Sequence, residues 1–246
     1  MSSLFVTGTD TGVGKTVVSA AIAMRLRQSG HDVGVMKPFL SLDPADHSLT
    51  DGELLRAAAG LDEPDGLTCP AVFRHPLAPI SAALLEDRSL DTGAVLQAAR
   101  ACAARHAFTI FEGIGGAAVP LTAATLVSDF AAALGAPVLI VARSALGTIN
   151  HSIMTIEHLR SRGATILGIV FVRACEGELS LAEETGPPVV TDLTGVRSFG
   201  MLPWIPGLAA ARTAAAYCEQ LPVLCDSVSE IVETLTPPLN TGPHGA

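Results

Sequence analysis

The residues best suited to chemistry stand near the start of the chain, where Gly14, Lys15 and Thr16 follow a short apolar run. Glycines in a turn allow successive backbone N–H groups to face an anion, and a helix that begins at Lys15 would add its partial positive charge. In the pattern G-x-x-x-x-G-K-[ST], the Lys contacts nucleotide phosphates and the Ser or Thr hydroxyl binds Mg²⁺. The sequence therefore predicts a phosphate-binding loop.

The first glycine of this loop is displaced by one position from that pattern. Thr9 stands five positions before Gly14, and the glycine is Gly8, so the loop is one residue longer. A glycine turn that only lets a strand pack against a helix is the alternative, but such a turn does not require Lys and Thr at the helix start. The loop glycines Gly8, Gly12 and Gly14 allow the backbone to take positive φ. The predicted nucleotide-binding residues of the loop are Gly8, Thr9, Asp10, Thr11, Gly12, Val13, Gly14, Lys15 and Thr16.

Lysine is almost absent from the rest of the chain. Of the 15 Lys and Arg residues, all but Lys15 and Lys37 are Arg. Lys37 ends the predicted strand 32–37, and open α/β sheets bind ligands at the carboxyl ends of their strands. Lys offers a compact, strongly hydrated charge where Arg offers a planar fork. We predict that Lys37 faces an anion; a chance Lys in a chain with an Arg-favouring codon bias is the alternative.

Two carboxylates are candidate ligands for a divalent cation. Glu112 ends the predicted strand Phe108–Glu112 and precedes a run of glycines, an arrangement in which a carboxylate can approach Mg²⁺ and phosphate. A solvated charge at the strand end is the alternative for Glu112. Asp51 stands before the predicted helix 53–59, where it is either a metal ligand or an ordinary N-cap.

A second helix start follows the predicted strand 137–142. Gly147, Thr148 and Asn150 precede the predicted helix 152–159, with Thr148 or Asn150 as the candidate N-cap. The N-terminus of this helix is a second potential anion site. His151 in this segment is more typical of a structural or surface histidine than of a catalyst.

The elements that must position these residues alternate between strand and helix. This alternation predicts an α/β fold of the P-loop NTPase type, with a doubly wound, mainly parallel sheet and helices on both faces. We expect one domain over 1–236 and a flexible C-terminal tail over 237–246. Strands are predicted at 4–6, 32–37, 108–112, 137–142, 166–172 and 199–202, loops at 39–52 and 70–79, and the last helices at 208–218 and 227–235.

Composition argues against several classes of protein. The 246 residues with 49% hydrophobic content suit one large α/β domain, and no apolar stretch approaches the roughly 18 residues of a membrane helix. A net charge of −9 argues against nucleic-acid binding. The five cysteines show no metal-ligand spacing and are expected to be reduced. No basic region precedes the first predicted strand, so we expect a cytoplasmic protein.

The chain is similar to the dethiobiotin synthetase family in six segments that occur in order. They are GTDTGVGKT, KP followed by Ser41, Asp51, FEGIGG, LGTINH and LPW. The resemblance covers Leu4 to about Trp204, and the lengthened loop is that family's own variant. It implies ATP- and Mg²⁺-dependent closure of the ureido ring of dethiobiotin from 7,8-diaminopelargonate and CO₂, through a carbamate and its phosphorylated intermediate, in biotin biosynthesis.

The resemblance also implies roles for individual residues. Lys15, Lys37 and Thr11 would be the catalytic groups, with Lys15 on the γ-phosphate and the other two, together with Ser41, facing the carbamate. ATP would be bound by the loop and also by Glu112 and Gly115. Mg²⁺ would be bound by Thr16, Asp51 and Glu112. Binding of the substrate's far carboxylate across the interface of a homodimer is implied for Gly147, Thr148 and Asn150.

Two positions depart from the family's pattern. Family members often place an Asn near the end of the strand 166–172, where it hydrogen-bonds to adenine. This chain has Val172 there, so we expect other nucleoside triphosphates to replace ATP. Leu42 stands where a small glycine is usual just after Ser41, and its bulk is expected to change the substrate pocket.

Two other functions fit part of the pattern. A paralogue that activates a different amine or carboxylate by the same phosphoryl transfer would explain Leu42 and Val172. A ParA/MinD-like switch ATPase, which binds partner proteins instead of converting a metabolite, would share the phosphate-binding loop. Those proteins have an additional Lys near the position of Asp10, and this chain has none there.

Overall fold

The computed structural model describes residues 2–236 of this chain, except residues 44, 46 and 47. The predicted tail, 237–246, lies outside the described residues. The strands are β1 (Ser2–Gly8), β2 (Val33–Met36), β3 (Phe39–Ser41), β4 (Ala71–Phe73), β5 (Phe108–Glu112), β6 (Val138–Arg143), β7 (Ile166–Val172) and β8 (Ser198–Leu202). The helices are α1 (Lys15–Gln28), α2 (Asp51–Ala59), α3 (Asp65–Thr68), α4 (Pro79–Leu85), α5 (Thr92–Arg105), α6 (Val127–Leu134), α7 (Thr148–Ser161), α8 (Leu181–Thr194), α9 (Ala214–Cys218), α10 (Pro222–Cys225) and α11 (Ser229–Leu235), with a 3₁₀ turn at Leu208–Ala210.

Six strands form one sheet in the order β2-β5-β1-β6-β7-β8. Every neighbouring pair in this sheet is parallel. Leu4, Phe5 and Val6 of β1 are successive apolar residues and none is more than 1% exposed. Continuous apolar strands of this kind are typical of parallel sheets covered on both faces. The predicted α/β fold with a parallel sheet is confirmed.

Helices cover both faces of the sheet. Leu4 and Val6 point to the face on which Ile22 of α1 packs. Phe5 points to the opposite face, where Ile156 of α7 packs. Because successive strand residues point to opposite faces, one strand contributes to two hydrophobic cores. The predicted doubly wound arrangement is therefore confirmed.

The strand order brings the predicted site to one edge of the sheet. β1 leads directly into the predicted phosphate-binding loop, and β5 lies beside it with Val6 paired to Glu112. β2 lies on the other side of β5, so Lys37, one residue past the end of β2, emerges next to Glu112. The carboxyl ends of parallel strands meet at one edge, which is where such sheets bind ligands.

Two predicted loops contain short strands. β3 and β4 lie in the segments 39–52 and 70–79, and they pair with each other in parallel, with Phe39 opposite Ala71. Each is only three residues long, too short for an alternating hydrophobic pattern to identify it in the sequence.

The C-terminal third differs from the prediction at three helices, one of which is the unpredicted four-residue α10. The predicted helix 208–218 is interrupted, because Leu208–Ala210 forms a 3₁₀ turn and Thr213 then caps α9 by accepting a hydrogen bond from the Ala216 amide. α8 was not predicted, since Pro187 and Pro188 lie inside it and are helix breakers in sequence analysis. Within the described ranges, no helix has both the length and the apolar character needed to cross a membrane.

Candidate active site

The loop between β1 and α1 depends on its glycines for two different reasons. Gly12 and Gly14 have φ of 68° and 98°, in the left-handed region that glycine adopts without strain. Gly8 does not use this freedom, since its φ is not positive. A Cβ at Gly8 would lie 2.8 Å from Val13 Cγ2. This glycine therefore lets the loop fold closely over the end of the strand.

Asp10 organises the loop through three of its oxygens. Its backbone oxygen accepts a hydrogen bond from Lys15 Nζ at 3.0 Å, and Oδ1 accepts one from the Thr11 amide at 2.7 Å. Its Oδ2 accepts one from Arg143 at 2.8 Å. Arg143 ends β6 and was not predicted as a site residue, because only the strand order brings it beside the loop.

Lys15 is held inside the loop, with only 6% of its surface exposed. Burial, assisted by the nearby charge of Lys37, lowers the pKa of Lys15 to about 8. Burial disfavours the charged form of an amine, whereas a negative ligand close to it favours that form. Lys15 is therefore placed where an anion in the loop would stabilise its charge.

Lys37 lies between two carboxylates. Its Nζ is 2.6 Å from Glu112 Oε1 and 2.7 Å from Asp51 Oδ2, and it donates to the Gly113 carbonyl at 3.2 Å. The residue is only 3% exposed. Burial by itself would lower the pKa of Lys37, but the carboxylates of Glu112 and Asp51 outweigh it and raise the pKa above its ordinary value. Lys37 is therefore a buried, permanent cation at the strand edge.

Asp51 faces the loop and is not the N-cap of α2. Thr50 is the N-cap, and it forms a capping box with Glu53. Asp51 Oδ1 instead lies 2.8 Å from Thr16 Oγ1. Burial by itself would raise the pKa of Asp51, but Lys37 and the Thr16 hydroxyl hold it below its ordinary value. The N-cap interpretation of Asp51 is therefore wrong, and the residue is an anion in the site.

Glu112 is completely buried, so the alternative of a solvated charge at the strand end is wrong. Its Oε1 lies within hydrogen-bonding distance of both Lys37 Nζ, at 2.6 Å, and Thr16 Oγ1, at 2.9 Å. Its Oε2 is buried and has no hydrogen-bond partner among the described residues. A buried carboxylate oxygen without a partner is costly, and a cation beside it would remove that cost.

A cavity of about 660 Å³, the main cavity, lies over this cluster. Ser41 stands in its wall, where its hydroxyl donates to the Leu77 carbonyl at 2.8 Å. Leu42 borders a neighbouring cavity of about 200 Å³. Leu42 does not line the main cavity. The predicted site residues that line the main cavity are Thr11, Gly12, Gly14, Lys15, Thr16, Lys37, Ser41, Asp51, Glu112 and Gly115.

The loop after β5 packs on itself and beside the phosphate-binding loop at its glycines. Gly115 has φ of 59°, and a Cβ there would lie 2.8 Å from Val119 Cγ2 and 3.5 Å from Thr11 Oγ1. A Cβ at Gly116 would lie 3.4 Å from the Gly8 carbonyl oxygen. A side chain at Gly115 would therefore clash within the loop after β5, whereas one at Gly116 would be in ordinary van der Waals contact with the phosphate-binding loop.

A second cavity, the side cavity, adjoins the phosphate-binding loop next to β7 and has a volume of about 280 Å³. Apolar side chains form much of its wall, among them Val172 and Trp204. Val172 packs so closely on the loop that a Cβ at Gly14 would lie 3.1 Å from Val172 Cγ1. A mostly apolar slot next to a phosphate site has the character of a nucleobase pocket.

The sequences of known proteins align with most of this chain. The ATP-dependent dethiobiotin synthetase BioD of Anaeromyxobacter sp. is 47% identical over 210 residues, which cover 85% of this chain and 93% of that protein. The protein of the same name from Bacillus velezensis is 40% identical over 203 residues, covering 82% and 87%. This chain belongs to the dethiobiotin synthetase family. A family model described as an AAA domain also matches residues 2–212.

The fold is shared more widely than the family. The MinC:MinD cell division protein complex of Aquifex aeolicus contains a chain with a TM-score of 0.56, over 94% of this chain and 96% of that one, at 13% identity. Identity this low indicates a shared fold only. It confirms the predicted P-loop NTPase fold, and the dethiobiotin synthetase family is confirmed by the sequence relatives.

The LGTINH segment, residues 146–151, lies outside the main cavity. α7 begins at Thr148 after Gly147, whose φ is 97°, and no side chain in the described part of the chain caps it. The predicted N-caps, Thr148 and Asn150, are therefore wrong. Thr148 is buried with its Oγ1 3.4 Å from Ser152 Oγ, whereas Asn150 is exposed. Within one chain, these residues are not brought to the lysines.

Glu183 links the two loops beside the side cavity and was missed in the sequence. Its Oε1 accepts hydrogen bonds from Ser144, just after β6, at 2.9 Å and from Arg173, just after β7, at 3.1 Å. Its Oε2 accepts from the Ser180 amide and hydroxyl at 2.9 and 2.8 Å. The capping-box pattern of Ser180 and Glu183 could have revealed it.

Glu183→Gln is expected to lower the melting temperature by about 2–8 °C at pH 7. This difference in melting temperature from the parent protein is expected to depend on pH. The Ser180 hydrogen bonds, followed by those from Arg173 and Ser144, lower the pKa of Glu183 from 4.5 to about 2. Because the folded pKa is the lower one, this stabilisation is present above pH 4.5 and is lost as the pH falls towards 2. Thermal unfolding between pH 7 and 3 measures this difference, with exposed Glu184→Gln as the matched control. If the difference in melting temperature does not become smaller as the pH falls, the Glu183 carboxylate does not have this stabilising role.

Proposed function

We propose that this chain is an ATP-dependent dethiobiotin synthetase, which closes the ureido ring of dethiobiotin from 7,8-diaminopelargonate and CO₂ in biotin biosynthesis. The observation that supports it most is the convergence of Lys15, Thr16, Lys37, Asp51 and Glu112 at one cavity, in a member of that family. Cations, a hydroxyl and carboxylates at one place suit phosphoryl transfer, which needs positioning and charge neutralisation more than covalent help.

The proposed reaction has three steps. One substrate amine attacks CO₂ and loses a proton, which gives a carbamate. A carbamate oxygen then attacks the γ-phosphorus, the bond from that phosphorus to the β-phosphate oxygen breaks, and ADP leaves. The second amine attacks the carbamoyl carbon of the resulting anhydride and loses a proton, the C–O bond to the phosphoryl group breaks, and phosphate leaves as the ring closes.

Lys15 and Lys37 have different surroundings and would stabilise different negative charges. Lys15 sits within the loop and would bind the γ-phosphate, whose charge would favour its protonated form. Lys37 and Thr11 line the main cavity together with Ser41, where they would face the carbamate. Donors fixed in a partly buried site stabilise developing negative charge more strongly than donors in water.

Thr16, Asp51 and Glu112 would hold Mg²⁺. They supply a hydroxyl and two carboxylates, and Mg²⁺ binds hard oxygen ligands of this kind together with substrate phosphates. The unpartnered Oε2 of Glu112 gives a site on this chain that a cation would satisfy. When bound, Mg²⁺ neutralises phosphate charge during phosphoryl transfer. Lys37 contacts both carboxylates, and these contacts would fix the positions of the two groups.

We infer that the enzyme is a cytoplasmic homodimer in which Gly147, Thr148 and Asn150 bind the substrate's far carboxylate for the neighbouring subunit. Two large apolar side chains, one just before α7 and one within it, support this inference, because Leu146 is 92% and Met154 63% exposed. Large apolar groups that are this exposed can contribute to an interaction surface. The helix N-terminus would favour a carboxylate.

An assay for ADP release tests the proposed function. We expect release only when ATP, Mg²⁺, 7,8-diaminopelargonate and a source of CO₂ are all present, with dethiobiotin as the product. A higher rate with another amine or a carboxylate would favour the paralogue that Val172 motivates. ADP release that is independent of CO₂ and is stimulated by a partner protein would favour the switch ATPase.

The base of the nucleotide is expected to be discriminated weakly, so CTP, GTP and UTP should support turnover within about tenfold of ATP. Val172 offers no hydrogen bond to a base edge, and the loop residues that also line the side cavity, Gly12, Val13 and Gly14, have no polar side chain. Steady-state rates with the four triphosphates at equal Mg²⁺ test this. A preference for ATP above roughly a hundredfold would show that a side chain in the side cavity discriminates the base.

A further inference from the structure

Arg143 lies where the side cavity meets the phosphate-binding loop, and the proposed reaction gives it no role. It is the last residue of β6 and lines the side cavity. Its Nη2 donates to Asp10 Oδ2 at 2.8 Å. The two side chains are 47% and 52% exposed, and exposed ion pairs contribute little to stability. Stability alone therefore gives little reason for this bond.

The guanidinium of Arg143 extends from a rigid part of the fold. β6 lies between β1 and β7 in the central sheet, and Arg143 is paired with Val172 of β7. The preceding residues of the strand, 138–142, are all buried. The strand is also bonded to the start of the loop, since the Thr9 amide donates to the Val141 carbonyl at 3.0 Å. A group on a packed strand holds its partner more precisely than a group on a loop does.

Asp10, the partner of Arg143, contacts two groups of the proposed reaction. Its Oδ1 accepts a hydrogen bond from the Thr11 amide at 2.7 Å, and its backbone oxygen accepts one from Lys15 Nζ at 3.0 Å. Thr11 and Lys15 both line the main cavity. Because Arg143 bonds to the second carboxylate oxygen, it fixes the orientation of the carboxylate to which the Thr11 amide donates. A chain of hydrogen bonds thus joins the end of β6 to Thr11.

We propose that Arg143 is a positioning residue that acts through Asp10 to hold Thr11 in place for the carbamate. This inference rests on the proposed function, because it requires that Thr11 faces that group. Arg143 itself does not contact the reacting atoms in this role. A displacement of about 1 Å at a reacting centre can lower a rate by about 10²-fold. A bond that contributes little to stability can therefore be important for turnover.

The test is Arg143→Met, which removes the guanidinium and keeps most of the apolar stem. The turnover number for dethiobiotin formation is expected to fall about tenfold, with the KM for ATP within about twofold of the parent value. The melting temperature should stay within about 3 °C of the parent protein. A raised KM for ATP with normal turnover would overturn the inference, because Arg143 would then contact the nucleotide. A lowered melting temperature with normal turnover would show a purely structural role instead.

A conservative variant and a matched control accompany this test. Arg143→Lys keeps a charged donor for Asp10 and is expected to bring turnover back to within about threefold of the parent protein. Arg162→Met is the control, because Arg162 donates to Asp129 Oδ1 at 3.1 Å in another ion pair on the protein surface. It removes the same charge away from the loop and should leave turnover unchanged. An equal loss in both Met variants would overturn the role of Arg143.

A double-mutant cycle tests whether Arg143 acts through Asp10. Asp10→Ala removes both carboxylate oxygens, so the addition of Arg143→Met should lower turnover little further. Losses that multiply independently would overturn the inference, since Arg143 would then act on another group. Normal turnover in Arg143→Met would also overturn it while leaving the proposed function intact. If the parent protein forms no dethiobiotin, the proposed function fails first, and the inference fails with it.

Discussion

Lys37→Ala and Lys15→Ala are each expected to lower the turnover number by about 10²-fold or more, because each removes a cation that faces charge developing in the transition state. The comparison is made by steady-state ADP release at saturating ATP and substrate. Arg160→Ala is the matched control, since it removes a cation from an exposed ion pair with Glu157 on α7. Near-normal turnover in Lys37→Ala would show that its assigned role is wrong.

Lys37→Ala should be less stable than Lys15→Ala, although both variants are expected to lose turnover. Among the described residues, Lys15 donates only to a backbone carbonyl, whereas Lys37 neutralises Glu112 and Asp51. Removing one partner of a buried ion pair leaves the other charge uncompensated, at a typical cost of about 3–5 kcal/mol. Melting temperatures of both variants must therefore accompany the rates, and the rates must be measured where both are folded.

The strands of the central sheet and the loop at its edge could be predicted because the signals are local. β5 occupies the predicted range Phe108–Glu112, since an apolar run of five followed by glycines is distinctive. Lys15 and Thr16 were found for the same reason, since their spacing from the loop glycines is the signal. Family resemblance then added Ser41 and Gly115, which no local pattern identifies.

The contacts within the site could not be predicted, because they join elements distant in sequence. Lys37 was expected to face an anion, but its partners in the structure, Asp51 and Glu112, are 14 and 75 residues away. The N-cap ambiguity at Asp51 was a different failure, since Thr50 and Glu53 form a capping box that the sequence already contained. Arg143 is brought to the loop by the order of the strands, which no local pattern gives.

The segment around Gly147 shows a further limit. Its helix start was placed four residues too late, because a glycine in the left-handed region and not a polar side chain precedes α7. Thr148, expected as a cap, is buried against α8, where a Cβ at Gly186 would lie 2.8 Å from Thr148 Cγ2. Its proposed role depends on a second subunit, which neither local sequence nor one chain's geometry supplies.

Asp51→Asn and Glu112→Gln are expected to raise the Mg²⁺ concentration needed for half-maximal rate by about tenfold or more. Each change removes a negative charge from the proposed metal site while it keeps the shape of the side chain. Asp51 and Glu112 are both within 2.9 Å of Thr16 Oγ1, so the three oxygen donors lie close enough to share one cation. The measurement is a titration of ADP release with Mg²⁺ at fixed ATP.

Glu53→Gln is the control for this titration, since it removes a carboxylate from the same helix without changing the site. Gln at this position can preserve the capping box with Thr50. Because Thr50 already caps α2, an unchanged Mg²⁺ requirement in Asp51→Asn could not be explained by an N-cap role. Such a result would mean that Asp51 acts only as a counter-ion of Lys37. Asp51→Asn would then be expected to lower turnover at every Mg²⁺ concentration.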